Sequence, residues 1–170
     1  MVLKTEVWNN FVCKLAAKII HYFGYNKFSY DIFSFFFGLG YKYSFGSIRF
    51  EENPDSLYME FMPWYFGNKK MVKDKAHNRL MLYGAEDYLK MINFFENDKP
   101  HLITSHSNKE IAFLIYRKLG FKFKNYNSLK EAKLSGSNNF ELYIYTNELV
   151  LYKEKLNQYI STLKDFENRI

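Results

Sequence analysis

The chain carries a single cysteine, Cys13, among 170 residues. One cysteine excludes an internal disulfide and points to a reducing compartment, so a cytoplasmic location is expected. It also excludes a zinc knuckle. His21, His77, His101 and His106 show no H-E-x-x-H or other metal-ligand spacing, so no metal is expected. No run of about eighteen apolar residues occurs, which predicts no transmembrane helix. Asn9, Asn10, Lys14 and Lys18 break up the apolar core that a signal peptide needs. There is no Walker loop and no G-x-S-x-G nucleophile elbow. Ser105-His106-Ser107 tempts a nucleophile reading, but neighbours at a strand end point apart, so it reads as a strand end and helix cap.

What is present suits a globular chain. Apolar residues make up 48% and charged residues 25%. The length fits one domain over 1–170 with a sizeable core. Aromatic content is high at 21%, and twenty of the 24 basic residues are lysine. That bias matches what an AT-rich genome encodes and carries no functional weight. The net charge of +6 favours anionic partners: nucleic acid, a phosphorylated cofactor, an acidic carrier protein or a membrane face.

Residues 5–23 place Val7, Phe11, Leu15, Ile19 and Phe23 at helical spacing, and Gly24 and Asn26 end the helix. Its polar face holds too few cations for a membrane-surface helix, so core packing is expected. A second, strongly aromatic helix is predicted over 28–39, closed by Gly38 and Gly40. Residues 43–50 and 56–62 predict a hairpin with a turn at Glu51–Asp55. Residues 66–79 hold Lys69, Lys70, Lys73, Lys75 and Arg79 against the lone acid Asp74, and fit a solvated face or an anion-binding segment. A helix is expected over 85–96, a loop over Ser128–Asn139, and a strand over 140–145 able to pair with 121–126. From about Glu148 the tail is helical. Its heptad-like steps at Tyr152, Leu156, Tyr159, Leu163, Phe166 and Ile170 fit packing onto the domain or a homodimer contact.

The most informative stretch is Pro100 to Lys124. A short apolar run from His101 to Thr104 suits a buried strand. Ser107 stands three residues before Glu110, the capping-box spacing. Ile111, Ala112, Leu114, Ile115 and Leu119 share a helical face, and Gly120 stands where a left-handed cap is wanted. Phe121 and Phe123 then alternate with Lys122 and Lys124. The segment Asn108 to Phe121, with its Ile115-Tyr-Arg-Lys-Leu-Gly-Phe121, resembles the last motif of the GNAT superfamily of N-acyltransferases, roughly N-x-x-A-x-x-L-Y-x-K-L-G-F, as a divergent member.

The resemblance implies an α/β fold with a GNAT-like mixed central sheet, two N-terminal helices and an added C-terminal helix. It also implies acyl transfer from acetyl-coenzyme A or another acyl-coenzyme A to an amine on a small molecule or protein. In that family a loop Q/R-x-x-G-x-G/A holds the coenzyme's pyrophosphate at a helix N-terminus, with backbone N–H groups approaching closely at the glycines. Three registers fit here. Spacing back from Tyr116 gives Lys73–Asn78, a second uses Pro63–Gly67, and a third makes Asn78–Tyr83 a strand with Gly84-Ala85 opening the helix. Each lacks at least one glycine. The coenzyme-binding residues so implied are Phe61, Met62, Lys75, Ala76, His77, Asn78 and Asn108.

The amine must lose a proton to attack, and the thiolate leaving group must gain one. Tyr116 occupies the family's tyrosine position, which implies the acid; packing on the helix flank is its other reading. Glu60, on a central strand, is the candidate base, directly or through water, or else a surface carboxylate. The aromatics Phe35, Phe36 and Phe37 read as core, and in a GNAT-like fold they line the acceptor pocket. Two further readings stand beside catalysis. The missing glycines fit a GNAT-like binding module without turnover. Charge and the Lys and Tyr interleaving over 117–126 fit an RNA-associated member, although no RNP signature is present. An acidic acyl-carrier protein is a further donor that suits the basic surface.

Overall fold

The computed structural model describes residues 26–61 and 75–169, together with 10, 11, 14, 15, 18, 19 and 22–24. The described positions between 10 and 23 are helical. The rest of the first expected helix, and all of 62–74, lie outside the described residues.

Helix α1 runs Lys27–Gly38, and the Asn26 side chain caps it by accepting the Ser29 amide at 3.0 Å. Strands β1 (Tyr43–Phe45) and β2 (Ile48–Glu52) form a tight hairpin, and β3 (Leu57–Phe61) pairs antiparallel with β2. Helix α2 (Lys75–Phe95) carries the chain back to β4 (Leu102–Asn108), which lies parallel to β3. Then come α3 (Lys109–Leu119), the two-residue β5 (Lys122–Phe123), α4 (Leu129–Leu134) and β6 (Asn139–Tyr145). A short α5 (Thr146–Leu149) and a 3-10 turn lead into α6 (Lys153–Asn168). Among the described residues, the six strands form one mixed sheet in the order β1-β2-β3-β4-β6-β5. The expected α/β class with a helix-flanked mixed sheet and an appended C-terminal helix is therefore what the chain adopts.

Strand alternation divides the sheet into two chemically distinct faces. Ile48, Phe50, Leu57, Met59, Ile103, Leu142 and Ile144 are buried on one, beneath α2 and α3. Arg49, Tyr58, Glu60, Thr104 and His106 alternate with them on the other. The C-terminal helix packs along α2 and buries Leu156, Ile160 and Leu163. Lys153 pairs with Glu96 at 2.5 Å and Lys164 with Glu86 at 3.1 Å along the same contact. Of the heptad-like positions expected to dock or to dimerise, Leu156 and Leu163 are thus buried within the chain, while the side chains of Phe166 and Ile170 lie outside the described residues. Gly120 closes α3 at φ 73, and any Cβ there would run into the Tyr152 ring.

A buried polar knot ties α1, the first hairpin and α2 together. Asp87 is 1% exposed. It accepts from the Tyr30 hydroxyl, from the Ser47 amide at 2.9 Å and from the Ser47 hydroxyl at 3.0 Å, with Lys90 at 3.4 Å. Burial pushes its carboxyl pKa up, and the hydrogen bonds from Tyr30 and Ser47 and the Lys90 charge oppose that. Gly46 makes the approach possible, because it holds φ 62 and a Cβ there would meet the Asp87 carboxylate.

Several boundaries differ from the sequence reading. Helix α2 begins at Lys75, ten residues before the expected 85. Asn78–Tyr83 is therefore helix and not a strand, and the register that made it one is excluded. Glu51 and Glu52 belong to β2, and the turn follows them. Ser107 remains in β4, so the cap of α3 is Asn108, whose side chain accepts the Ile111 amide at 3.1 Å. The expected loop Ser128–Asn139 contains α4, capped by Ser128.

Candidate functional site

The site follows from an interrupted ladder. Parallel strands β3 and β4 are in register only at Leu57–Ile103 and Tyr58–Thr104. Beyond those pairs, Met59, Glu60 and Phe61 stay bonded to β2, while Ser105 to Asn108 stay bonded to β6. The two strands part, and a cavity of about 340 Å³ opens between them. Its walls are residues 58–61 of β3, residues 105–108 of β4, Ile111 of α3, and Phe37 and Arg49 from the flank.

Side-chain hydroxyls occupy the gap where ladder bonds stop. Ser105 and Ser107 are buried and point the same way, with their oxygens 3.0 Å apart. The Ser105 hydroxyl reaches across towards the Met59 carbonyl at 3.5 Å. From the other strand, Tyr58 lines the same cavity. Burial pushes the Tyr58 pKa up, the Glu60 and Glu51 charges add to this, and the His106 amide acts against it. The His106 side chain is exposed on the opposite face from the two serines. The Ser-His-Ser sequence therefore does not assemble a nucleophile and base.

The charged corner of the cavity is Arg49 with Glu60. Arg49 is 0% exposed. Its guanidinium lies between the Phe37 ring at 4.1 Å and the Tyr41 ring at 4.3 Å, the geometry of a desolvated cation–π stack. Its Nε donates to Glu60 Oε2 at 2.7 Å and its Nη1 to the Phe37 carbonyl at 3.0 Å. Burial pushes the Tyr41 pKa up, the Arg49 charge lowers it, and Glu60 and Glu51 raise it.

The expected site residues separate into groups. Glu60, Phe61 and Asn108 all line the cavity. Phe37 lines it too, while Phe35 is exposed. Tyr116 does not line it: its ring stacks on Phe123 with centroids 4.9 Å apart and planes at 21°, against the core. Lys75, Ala76, His77 and Asn78 are the opening residues of α2 rather than a loop. Met62 and the Pro63–Gly67 register lie outside the described residues.

Arg49, Tyr58, Ser105 and Ser107 were not candidate site residues. The available signal was Arg49 standing between Ile48 and Phe50, opposite an acid-bearing strand. A charge in an alternating strand reads by default as solvent-facing. Among the described residues no group of His, Cys, Asp or Glu gathers as a metal site, and no helix is long and apolar enough to cross a membrane. No family model, curated protein or solved structure matches this chain.

Proposed function

We propose that this chain is a GNAT-like N-acyltransferase, working in the cytoplasm, that moves an acyl group from a coenzyme A thioester to an amine in the cavity between β3 and β4. The observation that carries the reading is the parting of two parallel strands directly before the helix bearing the Ile115–Phe121 motif. The β3–β4 register ends at Tyr58–Thr104, and Glu60 and Phe61 lie beyond it on the cavity wall. An extended ligand with amide groups, such as the thiol-bearing arm of coenzyme A, can hydrogen-bond there as an added strand would. The N-terminus of α3 opens at the same cavity, and its dipole favours an anionic ligand.

Glu60 is the base of this scheme. Arg49 fixes one carboxylate oxygen, and the side chain keeps 23% exposure on the cavity side of the sheet. An amine arriving as a cation is attracted to that carboxylate and gives up a proton to it, directly or through water, before attacking the thioester carbon. The acceptor is an amine on a small molecule or a protein, and an acyl-carrier protein is the alternative donor.

The second reading is a GNAT-like binding module without turnover, favoured by the glycine-poor approach to α2. The RNA-associated reading is a further proposal, and part of its basic segment over 117–126 is ion-paired. Lys122 is paired with Glu148 at 2.5 Å and Lys124 with Glu141 at 2.6 Å.

Calorimetric titration with acetyl-coenzyme A, free coenzyme A and a long-chain acyl-coenzyme A tests the proposal. Micromolar binding of at least one, with thiol release in the presence of an amine, supports acyl transfer. Binding without release supports the module. Binding of none overturns the coenzyme A reading.

A further inference from the structure

The transfer reading leaves one role open: something in the cavity must give a proton to the departing sulfur. We propose that Tyr58, and not Tyr116, is that catalytic acid, an assignment that rests on the acyl-transfer reading above. Two observations carry it. Tyr58 lines the cavity, at the last residue of β3 that still pairs with β4. Tyr116 is spent on its stack with Phe123 and has no place on the cavity wall.

Tyr58 and Glu60 are two residues apart on β3 and therefore share one face, so acid and base come from a single strand. Burial favours the neutral phenol, so the group is protonated and ready to donate near neutral pH.

The step balances without an outside reactant. The amine nitrogen attacks the thioester carbon, the C–S bond breaks with its electron pair going to sulfur, and the Tyr58 proton passes to that sulfur to give the free thiol. The proton that Glu60 took from the arriving ammonium is released to solvent, and the second proton, lost from nitrogen after attack, passes through the emptied Glu60 to the phenolate, so both side chains are restored and one proton is released per turnover. A phenol is a weaker acid than a thiol, about 10 against about 8.5 in pKa. The proton therefore moves as the C–S bond breaks, and a thioester with a more acidic leaving thiol needs it less.

The experiment compares wild type, Tyr58→Phe and Tyr116→Phe for acetyl-coenzyme A affinity and for turnover. A second donor is an acetyl thioester of an aryl thiol, and circular dichroism checks the fold of each variant. General acid catalysis contributes roughly 10²–10⁴-fold. Expected are an affinity of Tyr58→Phe within about threefold of wild type, a kcat lowered about 100-fold or more, and recovery to within about 10-fold on the aryl thioester. Tyr116→Phe is expected to lose less. Intact binding with near-normal kcat in Tyr58→Phe, a larger loss in Tyr116→Phe, or an equal Tyr58→Phe defect on both donors overturns the assignment while leaving the transferase reading in place. Wild-type protein that binds the thioesters but turns over no amine overturns it as well. Wild-type protein that binds no thioester brings down the transferase reading itself, and this assignment with it.

Discussion

Arg49 and Glu60 are direct cross-strand partners on β2 and β3, and their 2.7 Å ion pair forms the charged wall of the cavity. The arginine is fully enclosed while the glutamate keeps an opening to the cavity. Breaking a buried pair by removing one member costs about 3–5 kcal/mol, because the remaining charge is left uncompensated. Glu60 is partly exposed, so Arg49→Met is expected at the lower end, about 2–4 kcal/mol by urea unfolding. Adding Glu60→Gln to Arg49→Met should recover part of that loss. A double variant as unstable as the sum of the singles would show that the pair is not coupled.

Asp87 gives a pH dependence with an unusual sign for an acid. Its folded pKa is raised above the ordinary value of 3.8, with burial the leading cause. The folded state therefore holds the proton more tightly than the unfolded state. The penalty for ionising this group is absent below the unfolded pKa, sets in as pH rises past it, and is complete above the folded pKa. Asp98, Glu141 and Glu148 are shifted downwards and act in the opposite direction, so the parent's total curve mixes both signs. The difference between Asp87→Asn and parent isolates the term. It should move in the variant's favour as pH rises from about 4. Urea midpoints of both proteins across that range measure it, and a flat difference sinks the idea.

Much of the second half of the fold was legible. Ile111, Ile115 and Leu119 announced the α3 face, Gly120 its end, and Phe140, Leu142 and Ile144 the inward side of β6. These are local patterns with a fixed period, and the core reads them directly. Arg49 was not legible as a site residue. Its meaning depends on Phe37, Tyr41 and Glu60, which only the fold brings together. The start of α2 was hidden because the basic run over 66–79 fits a helical face as well as a loop. Helix α4 escaped for a different reason. Six residues are too few to show periodicity, and its signal was the cap: Ser128 accepts the Glu131 amide at 3.2 Å, and the Glu131 side chain accepts the Asn127 amide at 2.9 Å. Tyr116 shows that a motif can locate a helix correctly while the side chain it singles out packs on Phe123, away from the cavity wall.

Gly120 has two separate reasons to be glycine, and they can be measured apart. It adopts φ 73, where a side chain costs about 1–2 kcal/mol, and a Cβ there would displace the Tyr152 ring. Gly120→Ala should therefore destabilise by more than the conformational cost alone, since Tyr152 lies at the turn leading into α6. In a Tyr152→Ala background the same substitution should cost only about 1–2 kcal/mol. Equal costs in both backgrounds would mean that the ring yields freely.

Asn108 joins stability to the cavity, and two substitutions separate these roles. It caps α3 through the Ile111 amide and also lines the cavity. Asn108→Ala should cost about 1 kcal/mol in urea unfolding, as loss of a helix cap does. Ser107→Ala removes no cap, because the Ser107 hydroxyl bonds to Ser105 instead. Asn108→Asp should restore the stability, since a carboxylate caps well and complements the positive end of the helix dipole. It also places a negative charge at the cavity. An anionic thioester should then bind more weakly to Asn108→Asp than to Asn108→Ala, although the Asp variant is the more stable of the two. Added salt should narrow that gap by screening the repulsion. If Asn108→Asp instead binds coenzyme A thioesters as tightly as wild type at low salt, the ligand's phosphates do not lie near the start of α3, and the site must be approached from the far side of the gap between β3 and β4.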